Sequence, residues 1–349
     1  MRAAVYRGVN DLRIETVPVP RIKADELLVK VAVCGVCPTD IKKIQFGTVP
    51  SPRIFGHETA GTIVKVGARV KGFQVGERVA LHHHVPCLDC HACRHRAFAQ
   101  CDQYKRTGIT AGFEPAGGGY AEYVRVMSFV LPGVVAIPTR NTFVEGALLE
   151  PVNTVLKAIN RLSVLPGDTV LVIGQGPIGL MFTRLLALRR AAVAASDLFA
   201  ARLKIAREMG ARWTFLADEA RVEDRIHRLT RGRGLDGAVV TVPSDEAVRK
   251  AQRLVRGGGK VLLFAHTVGG STAPLDLSAV CVGEKDLIGS YSSDFTLQSE
   301  VARLVFGRRL DVRKLITHTL PLEQTAEAIR LASRPTPESL KIAVAQGGR

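Results

Sequence analysis

The sequence has few aromatic residues and lacks any long apolar run. Nowhere in its 349 residues is there an uninterrupted apolar stretch of about 18 residues, so no membrane partner is expected. Its opening residues, MRAAVYRGVNDLRIE, form no apolar signal segment, which predicts a reducing, cytoplasmic location. Aromatic residues make up 5% of the chain, so few side chains could stack on nucleic-acid bases.

Basic residues are in excess, and the formal net charge is +16. A charge of this size can indicate binding to nucleic acid. The Lys and Arg residues are spread along the chain, however, and the densest groups, at 188–190, 228–234 and 306–314, form no long basic tail. We interpret the charge as a basic, solvated surface and expect no nucleic-acid partner. A non-enzymatic nucleic-acid binder is the alternative, and it predicts salt-sensitive binding without turnover.

Four of the seven cysteines lie close together, and none occurs between 102 and 280. Cys87, Cys90, Cys93 and Cys101 read C-x2-C-x2-C-x7-C, a spacing that lets four sulfurs converge on one ion. Four thiolates around Zn²⁺ form a closed tetrahedral site that leaves no position for a substrate. We therefore predict a structural zinc lobe at about residues 85–105; a disulfide-bonded or simply reduced loop is the alternative.

A glycine-rich loop follows an apolar strand pattern at 170–173 and precedes a helical pattern at 180–190. The spacing G-x-G-x-x-G predicts a tight turn, a close approach to a pyrophosphate, and a helix N-terminus that faces its charge. Asp197 ends the next strand pattern, where a carboxylate would bind ribose hydroxyls and repel a 2′-phosphate, so NAD is favoured over NADP. A helix N-cap is the structural alternative for Asp197. The loop consists of Gly174, Gln175, Gly176, Pro177, Ile178 and Gly179.

The two parts of the chain differ in their patterns. Strand and helix patterns alternate from about 154 to 287, which is typical of a doubly wound parallel sheet. The first 153 residues show short strands with many Gly and Pro, which predicts a β-rich domain. A second metal site could form there from Cys37 and His57 with one more ligand, although each of these residues taken alone is more typical of a buried structural residue.

Several motifs occur in one order along nearly the whole chain. They are VCGVCPTD, FGHETAG, the four-cysteine lobe, GGYAEYV, LLEPVNTVLKA, VIGQGPIG and, near the end, ITHTLPLEQTAEAI. This order resembles the zinc-dependent medium-chain dehydrogenases, and the segments 150–158 and 196–211 are similar to the polyol branch of that family. The resemblance implies an α/β protein with a GroES-like catalytic domain at 1–153 and 288–349 and a Rossmann domain at 154–287.

The resemblance also implies roles for individual residues. Cys37 and His57 match the thiolate and imidazole ligands of a catalytic zinc, and Glu58 matches the carboxylate that approaches the metal. Glu150 falls at the third-ligand position, which is a glutamate in polyol and threonine dehydrogenases, so it is expected to reach zinc directly or through water. Thr39 matches the hydroxyl residue that passes on the substrate proton.

Two positions depart from the family pattern. Lys42 stands where a histidine often ends the proton relay, and an ammonium could serve there if burial lowers its pKa; release through water is the alternative. Val242 and Pro243 replace a small pair that often lies beside the nicotinamide ribose. Arg202, Val242 and Ala265 are assigned to the cofactor site together with the glycine loop.

The implied reaction is hydride transfer from a secondary hydroxyl to NAD⁺, giving a ketone. Zinc would lower the pKa of that hydroxyl, and the nicotinamide would accept the hydride. A glutamate at the third-ligand position favours a polyol or sugar derivative. An L-threonine or simple secondary alcohol dehydrogenase is the nearest alternative, and a zinc-free quinone or enoyl reductase is disfavoured by the cysteine lobe and Asp197. The family resemblance further implies a homo-oligomer, a tetramer or dimer.

Two further segments border the predicted site. The triplet His82-His83-His84 is interpreted as part of a strand that leads into the cysteine lobe, because consecutive strand residues point to opposite faces. Residues 289–295, GSYSSDF, are expected to return the chain to the catalytic domain near the substrate, where their hydroxyls could bind a polyol; a simple turn at the domain junction is the alternative.

Overall fold

The computed structural model describes residues 1–82, 84–107, 117–265, 270 and 272–346. Its strands, in chain order, are β1 (Arg2–Gly8), β2 (Asp11–Thr16), β3 (Leu27–Gly35), β4 (Arg53–Ile54), β5 (Glu58–Val66), β6 (Arg78–Leu81), β7 (Tyr123–Val126), β8 (Val135–Ala136), β9 (Thr169–Ile173), β10 (Ala192–Asp197), β11 (Trp213–Leu216), β12 (Leu235–Val240), β13 (Val255–Leu263), β14 (Asp286–Gly289), β15 (Ile316–Pro321) and β16 (Lys341–Ala345).

The α-helices, also in chain order, are α1 (Pro38–Phe46), α2 (His91–Arg94), α3 (Asp102–Thr107), α4 (Phe143–Ala147), α5 (Leu149–Leu162), α6 (Pro177–Leu188), α7 (Ala200–Glu208), α8 (Val222–Leu229), α9 (Asp245–Leu254), α10 (Leu277–Cys281), α11 (Gln298–Phe306) and α12 (Thr325–Ser333). Short 3₁₀ turns occupy Phe98–Gln100, Ser128–Gly133, Phe295–Leu297, Val312–Leu315 and Leu322–Gln324. Within the described ranges, no helix is long and apolar enough to cross a membrane.

The chain divides into two compact units. The first comprises Met1–Asn153 and Ser292–Arg349, and the second comprises Thr154–Tyr291. The return to the first unit lies at Ser292, four residues later than the 288 expected from the sequence. The reason is that β14 runs through Gly289 and pairs in parallel with β13, so these residues belong to the second sheet.

The first unit is rich in β-structure. Its larger sheet has the order β15-β16-β3-β5-β6-β8, with β7 also paired to β3, and a smaller sheet has the order β2-β1-β4. Strand β3 lies inside this sheet. Most of its residues are apolar and buried, as is typical of a strand that is covered on both faces. One core contains the rings of Tyr6, Phe55 and Tyr120, and a second contains Leu27 and Ile63.

The second unit is a doubly wound sheet. Its strands run in the order β11-β10-β9-β12-β13-β14, and every recorded strand pair in it is parallel. The strand order reverses between β9 and β12, which is the switch point where such sheets bind ligands outside their carboxyl ends. The predicted α/β fold class, a β-rich domain with a parallel Rossmann-like sheet, is confirmed.

Asp236 fastens the amino-terminal edge of this sheet. One carboxylate oxygen accepts a hydrogen bond of 2.8 Å from the backbone N–H of Thr169 in β9, and the other accepts one of 2.7 Å from Arg256 Nε in β13. Burial alone would raise the pKa of Asp236, but the hydrogen bonds from Arg256 and Thr169 outweigh it, so the pKa is lowered. Asp236 therefore joins three neighbouring strands through one ionised side chain.

Candidate functional site

Three potential metal ligands meet in the first unit. The ligand atoms of Cys37, His57 and Glu58 all lie within 4.8 Å of one another. Cys37 is the N-cap residue of α1, and Glu58 is the first residue of β5, directly after His57. His57 and Glu58 are buried and Cys37 is half-buried. The fold therefore brings together residues that are 20 positions apart in the sequence.

His57 is oriented by a buried carboxylate. Its Nδ1 lies 3.2 Å from Asp40 Oδ1, and Asp40 is fully buried on α1. Burial tends to lower the pKa of His57, but the charges of Asp40 and Cys37 raise it well above the ordinary value. A carboxylate on one imidazole nitrogen fixes the ring and directs the other nitrogen to a metal. Asp40 thus acts as the supporting residue for His57, a role that sequence reasoning missed.

Glu58 is held by a buried lysine that sequence reasoning also missed. Lys341 Nζ donates to Glu58 Oε1 at 2.5 Å and to the backbone oxygen of Val36 at 2.8 Å. Burial opposes the charge of Lys341, yet Glu58 and Cys37 raise its pKa above the ordinary value. The second carboxylate oxygen, Glu58 Oε2, is buried and has no hydrogen-bond partner among the described residues.

Gly35 leaves the space that Glu58 occupies. It is the cross-strand partner of Glu58, and a Cβ built on Gly35 would lie 2.0 Å from Glu58 Oε2. Any side chain at position 35 would displace the carboxylate. Together with the orphaned oxygen, this cradle fits a carboxylate that faces a metal ion. Zinc accepts this Cys, His and carboxylate set as ligands and uses three of them with one open position in catalytic sites.

Glu150 lies beside this cluster rather than within the three-residue group. It is the second residue of α5 and is buried, and its Oε1 is 3.4 Å from His84 Nδ1. Burial raises the pKa of Glu150 to about 7, with His57 and Glu58 as the next largest influences, in opposite directions. These charges place Glu150 in the same electrostatic environment as the cluster. Its role as a zinc ligand, direct or through water, stays a prediction.

Thr39 and Lys42 lie three residues apart on α1, the helix that Cys37 caps. Both are half-buried, and residues at this spacing share one face of a helix. Burial lowers the pKa of Lys42, while the charge of Cys37 opposes that change. The direction is the one that a proton-accepting lysine requires, and the assignment of both residues to a proton relay stays a prediction.

The four-cysteine lobe converges as the spacing predicts. The sulfurs of Cys87, Cys90, Cys93 and Cys101 lie within 4.8 Å of one another, and all four thiols are free. Cys93 Sγ is 3.5 Å from Cys90 Sγ and 3.9 Å from Cys87 Sγ. A tetrahedral site with Zn–S bonds of about 2.3 Å separates its sulfurs by roughly 3.8 Å, so the spacing fits one zinc ion and no disulfide.

The backbone around this lobe favours thiolates. Hydrogen bonds from the backbone of Asp102 and Cys93 lower the pKa of Cys90 to about 6, and those of Asp89 and Cys90 lower the pKa of Cys87. Burial instead raises the pKa of Cys93 to about 12. Because a thiolate is the metal-binding form, the two lowered values favour the loading of a metal.

The glycine loop of the second unit has the geometry of a phosphate cradle. Gly174 has φ of 91°, and a Cβ on Gly179 would lie 1.8 Å from the oxygen of Gly174, so both positions require glycine. Gly176 is the N-cap residue of α6, with Pro177 and Ile178 in its first turn. A Cβ on Gly176 would meet only Arg202 Nη1, at 4.0 Å, so this side of the loop is open to a ligand.

Asp197 ends β10 beside this loop. Its carboxylate accepts backbone N–H bonds from Gln175 at 2.5 Å and from Phe199 at 2.9 Å. The guanidinium carbon of Arg202 lies 4.9 Å from the centroid of the Phe199 ring. Burial lowers the pKa of Arg202, while the charge of Asp197 acts to raise it. The structural alternative for Asp197 was a helix N-cap; the helix α7 has Phe199 as its N-cap residue, without a side-chain cap.

The remaining predicted cofactor residues lie at the same edge of the sheet. Val242 follows β12 and Ala265 follows β13, and both are half-buried. Thr241 Oγ1 donates to the oxygens of Ile173 and Gly174, at 2.9 and 3.0 Å, and so ties β12 to the glycine loop. Gly174, Asp197, Val242 and Ala265 therefore lie at or just after the carboxyl ends of β9, β10, β12 and β13, and the other predicted cofactor positions lie in the glycine loop and in the first turns of α6 and α7.

The histidine triplet differs from its prediction. Strand β6 ends at Leu81, and His83 lies outside the described residues. His82 and His84 are both buried, and both contact the hydroxyl of Ser293. The prediction that the triplet belongs to a strand is therefore wrong for His82 and His84, because the chain leaves the sheet after Leu81.

Comparison with known proteins identifies the family. Residues 23–138 match the alcohol dehydrogenase GroES-like domain, and residues 177–306 match the zinc-binding dehydrogenase domain. A sorbitol dehydrogenase of Bacillus subtilis is 32% identical over 99% of this chain and 97% of its own length.

Solved structures agree with this assignment. Galactitol-1-phosphate dehydrogenase from Escherichia coli is 26% identical, with a TM-score of 0.86 over 99% of this chain and 100% of its own. A zinc-binding dehydrogenase of Sinorhizobium meliloti 1021, bound to NADP, is 26% identical, with a TM-score of 0.87 over 99% and 98%. The family resemblance read from the motifs is confirmed, and the chain belongs to the zinc-dependent medium-chain dehydrogenase family.

Proposed function

We propose that the protein oxidises a secondary hydroxyl of a polyol or sugar derivative with NAD⁺, giving a ketone and NADH. The observation that carries this proposal is the convergence of Cys37, His57 and Glu58 within 4.8 Å in a member of this family. Zinc bound by this set would act as a Lewis acid on a hydroxyl oxygen and lower its pKa. Orientation of the metal ligands and transfer of the substrate proton are assigned to side chains of this protein.

The residues around the cluster provide orientation and a path for the proton. Asp40 fixes the ring of His57, and Lys341 fixes one oxygen of Glu58. Thr39 accepts the hydrogen bond of the reacting hydroxyl, and Lys42, on the same face of α1, takes the proton onward to solvent. The half-buried position of Lys42 and its lowered pKa support this assignment.

The cofactor is NAD rather than NADP in this proposal. Asp197 presents a carboxylate at the end of β10, where an adenosine ribose lies in Rossmann sheets. A carboxylate accepts hydrogen bonds from both ribose hydroxyls and repels a 2′-phosphate. Gly174, Gly176 and Gly179 give the pyrophosphate room beside the N-terminus of α6.

The substrate class rests on Glu150 and on the relatives. A glutamate replaces a third thiolate at this position, and its burial together with Glu58 makes the site polar. The relatives carry the names sorbitol dehydrogenase, D-xylulose reductase and galactitol-1-phosphate dehydrogenase. An L-threonine or simple secondary alcohol dehydrogenase is the second candidate; the glutamate is compatible with its threonine form, and the names of the relatives do not favour either form.

The cysteine lobe and the assembly complete the proposal. Cys87, Cys90, Cys93 and Cys101 hold a structural zinc that supports the fold, and the protein is cytoplasmic, as its free thiols suggest. The protein is a homo-oligomer, a dimer or tetramer. Strand β14 ends the order of the second sheet and can pair with a second copy.

The experiment is a substrate panel followed by NADH absorbance. Sugar alcohols, inositols, sugar acids, threonine and simple alcohols are offered with NAD⁺ and with NADP⁺, before and after treatment with a zinc chelator. We expect chelator-sensitive NADH formation from a polyhydroxyl compound. Faster turnover of threonine or of a simple alcohol would favour the second candidate, and the absence of any turnover by protein that holds zinc and binds NADH would contradict the substrate class.

A further inference from the structure

A buried cluster of two imidazoles and one hydroxyl lies against Glu150. Ser293 Oγ contacts His82 Nε2 at 3.1 Å and is also in hydrogen-bond contact with His84 Nδ1. His84 Nδ1 in turn lies 3.4 Å from Glu150 Oε1. All four side chains are at least nine-tenths buried. A continuous polar path therefore runs from Ser293 through His84 to the carboxylate beside the candidate metal centre.

Ser293 is held in place by the residues on each side of it. Ser292 Oγ donates to Tyr104 Oη at 3.2 Å, and the backbone N–H of Asp294 donates to Asn153 Oδ1 at 2.8 Å. Asn153 is itself fixed by a bond of 3.0 Å from its amide nitrogen to Gln298. Because the residues on both sides of Ser293 are held by these bonds, Ser293 can hold a ring in one orientation.

The number of hydrogen-bond donors in this cluster restricts how Ser293, His82 and His84 can be paired. A serine hydroxyl carries one proton and two lone pairs, so Ser293 can donate to only one of the two imidazoles. The other imidazole must then donate to Ser293 Oγ, which couples the tautomers of His82 and His84. His82 Nδ1 is buried and has no hydrogen-bond partner among the described residues. A cluster that leaves this atom unsatisfied is not explained by packing alone.

The ring of His84 is also fixed from its faces. It packs edge to face on Tyr104, with ring centroids 4.8 Å apart, and on His82, at 5.4 Å. These contacts restrict rotation of the ring, while Ser293 determines which nitrogen meets Glu150. The arrangement resembles that around His57, where a neighbouring polar group sets the orientation of a side chain at the cluster.

We propose that His84, held by Ser293, is a positioning residue that fixes the Glu150 carboxylate toward the candidate metal centre. The inference rests on the proposed function, since Glu150 has its role there. His84 Nδ1 supplies the contact to Glu150 Oε1, and Ser293 keeps that nitrogen in place. Loss of either contact allows the carboxylate to turn away, which weakens the metal site and slows the chemical step more than it weakens substrate binding.

The test compares two substitutions of His84 that differ in which nitrogen they imitate. The amide of asparagine can reach the position of Nδ1, whereas glutamine extends toward that of Nε2. We expect His84→Gln and Ser293→Ala to lower kcat by about 10- to 100-fold with little change in KM, a range typical of residues that support a metal ligand. We expect His84→Asn to retain most of the activity.

A second readout does not depend on turnover. The rate at which the zinc-loaded protein loses metal to a chelator is measured for each variant. Ser293→Ala and His84→Gln should lose the zinc of the candidate metal centre faster than the wild type does, while the zinc of the cysteine lobe is lost at the same rate. Ser290→Ala is the matched control, because Ser290 Oγ has no hydrogen-bond partner among the described residues and the substitution removes no bond. It should behave as the wild type in both assays.

The outcomes separate this inference from the proposed function. A wild-type protein without turnover contradicts the proposed function, while the metal-loss assay still tests the cluster. Turnover by the wild type, with Ser293→Ala equal to it in both assays, overturns the positioning role. Equal defects in His84→Asn and His84→Gln also overturn it, because they would show that ring packing matters and the Nδ1 contact does not.

Discussion

Removing the ammonium of Lys341 should destabilise the first unit strongly. Lys341 and Glu58 form an ion pair at 2.5 Å, and both are at most 4% exposed. The change Lys341→Met keeps the length of the apolar stem but leaves the Glu58 carboxylate buried without its partner. Breaking a buried pair from one side typically costs about 3–5 kcal/mol, so we expect a loss of that order in the free energy of unfolding.

The assay is urea unfolding of zinc-depleted protein, followed by circular dichroism. Zinc is removed first because a bound cation would offset the charge of Glu58 and mask the loss. The double variant Lys341→Met with Glu58→Gln should recover much of the stability, since it removes the buried charge as well. Arg330→Met is the control, because Arg330 and Glu327 form an exposed ion pair whose loss should change little.

Two results would refute this reasoning. If Lys341→Met unfolds at the same urea concentration as the wild type, the pair does not hold the buried carboxylate. If the double variant is as unstable as the single one, the loss comes from the packing of Lys341 or from its bond to Val36 rather than from the charge of Glu58.

Three further predictions concern the cofactor, the lobe and the second sheet. Asp197→Gly should raise the KM for NAD⁺ and reduce the preference for NAD⁺ over NADP⁺, measured as the ratio of the two kcat/KM values. An unchanged ratio contradicts the assignment of Asp197 to the adenosine ribose. Cys93→Ser should lower the melting temperature and the zinc content before it changes the chemical step, and full zinc content would rule out the lobe as a metal site. Asp236→Asn should destabilise the protein at neutral pH, because the carboxylate has a lowered pKa in the folded state. This stability is present above the unfolded pKa of about 3.9 and is lost as the pH falls through the lowered folded value, so urea midpoints of the two proteins should converge in acid; a constant difference at all pH values argues against the charge.

Spacing in the sequence predicts the parts of the site that depend on short segments. The four cysteines between 87 and 101 converge because the lobe is local, and the glycine loop keeps its geometry because strand, turn and helix follow each other directly. The family motifs add Cys37, His57 and Glu58, which the fold brings within 4.8 Å. These residues needed the resemblance, since a single Cys or His carries little information alone.

Contacts between distant segments could not be predicted in this way. Lys341 is 283 positions from Glu58 in the sequence and lies in an apolar strand, where nothing marks it as an ionic partner. Ser293 is 209 positions from His84. Such pairs depend on how β16 docks on β3 and on where the chain returns to the first unit, and periodicity does not encode either.

Boundaries of the elements were predicted less well than their order. The strand pattern at 170–173 corresponds to β9, which spans Thr169–Ile173, and the helical pattern at 180–190 corresponds to α6, which spans Pro177–Leu188. Pairing with Ala192 of β10 includes Thr169 in β9, and the caps of α6 at Gly176 and Arg189 set the limits of that helix. The sequence places the histidine triplet in a strand, and β6 ends before it, at Leu81.

The most direct test of the proposed function joins turnover to metal content in one variant. Cys37→Ala is compared with the wild type for NADH formation from the best polyol and for zinc bound per chain, with circular dichroism as the check on folding. We predict a folded protein that has lost turnover and one class of zinc while the cysteine lobe keeps its own. A folded Cys37→Ala variant with full activity, or with the zinc content of the wild type, would contradict the assignment of this cluster as the catalytic metal centre.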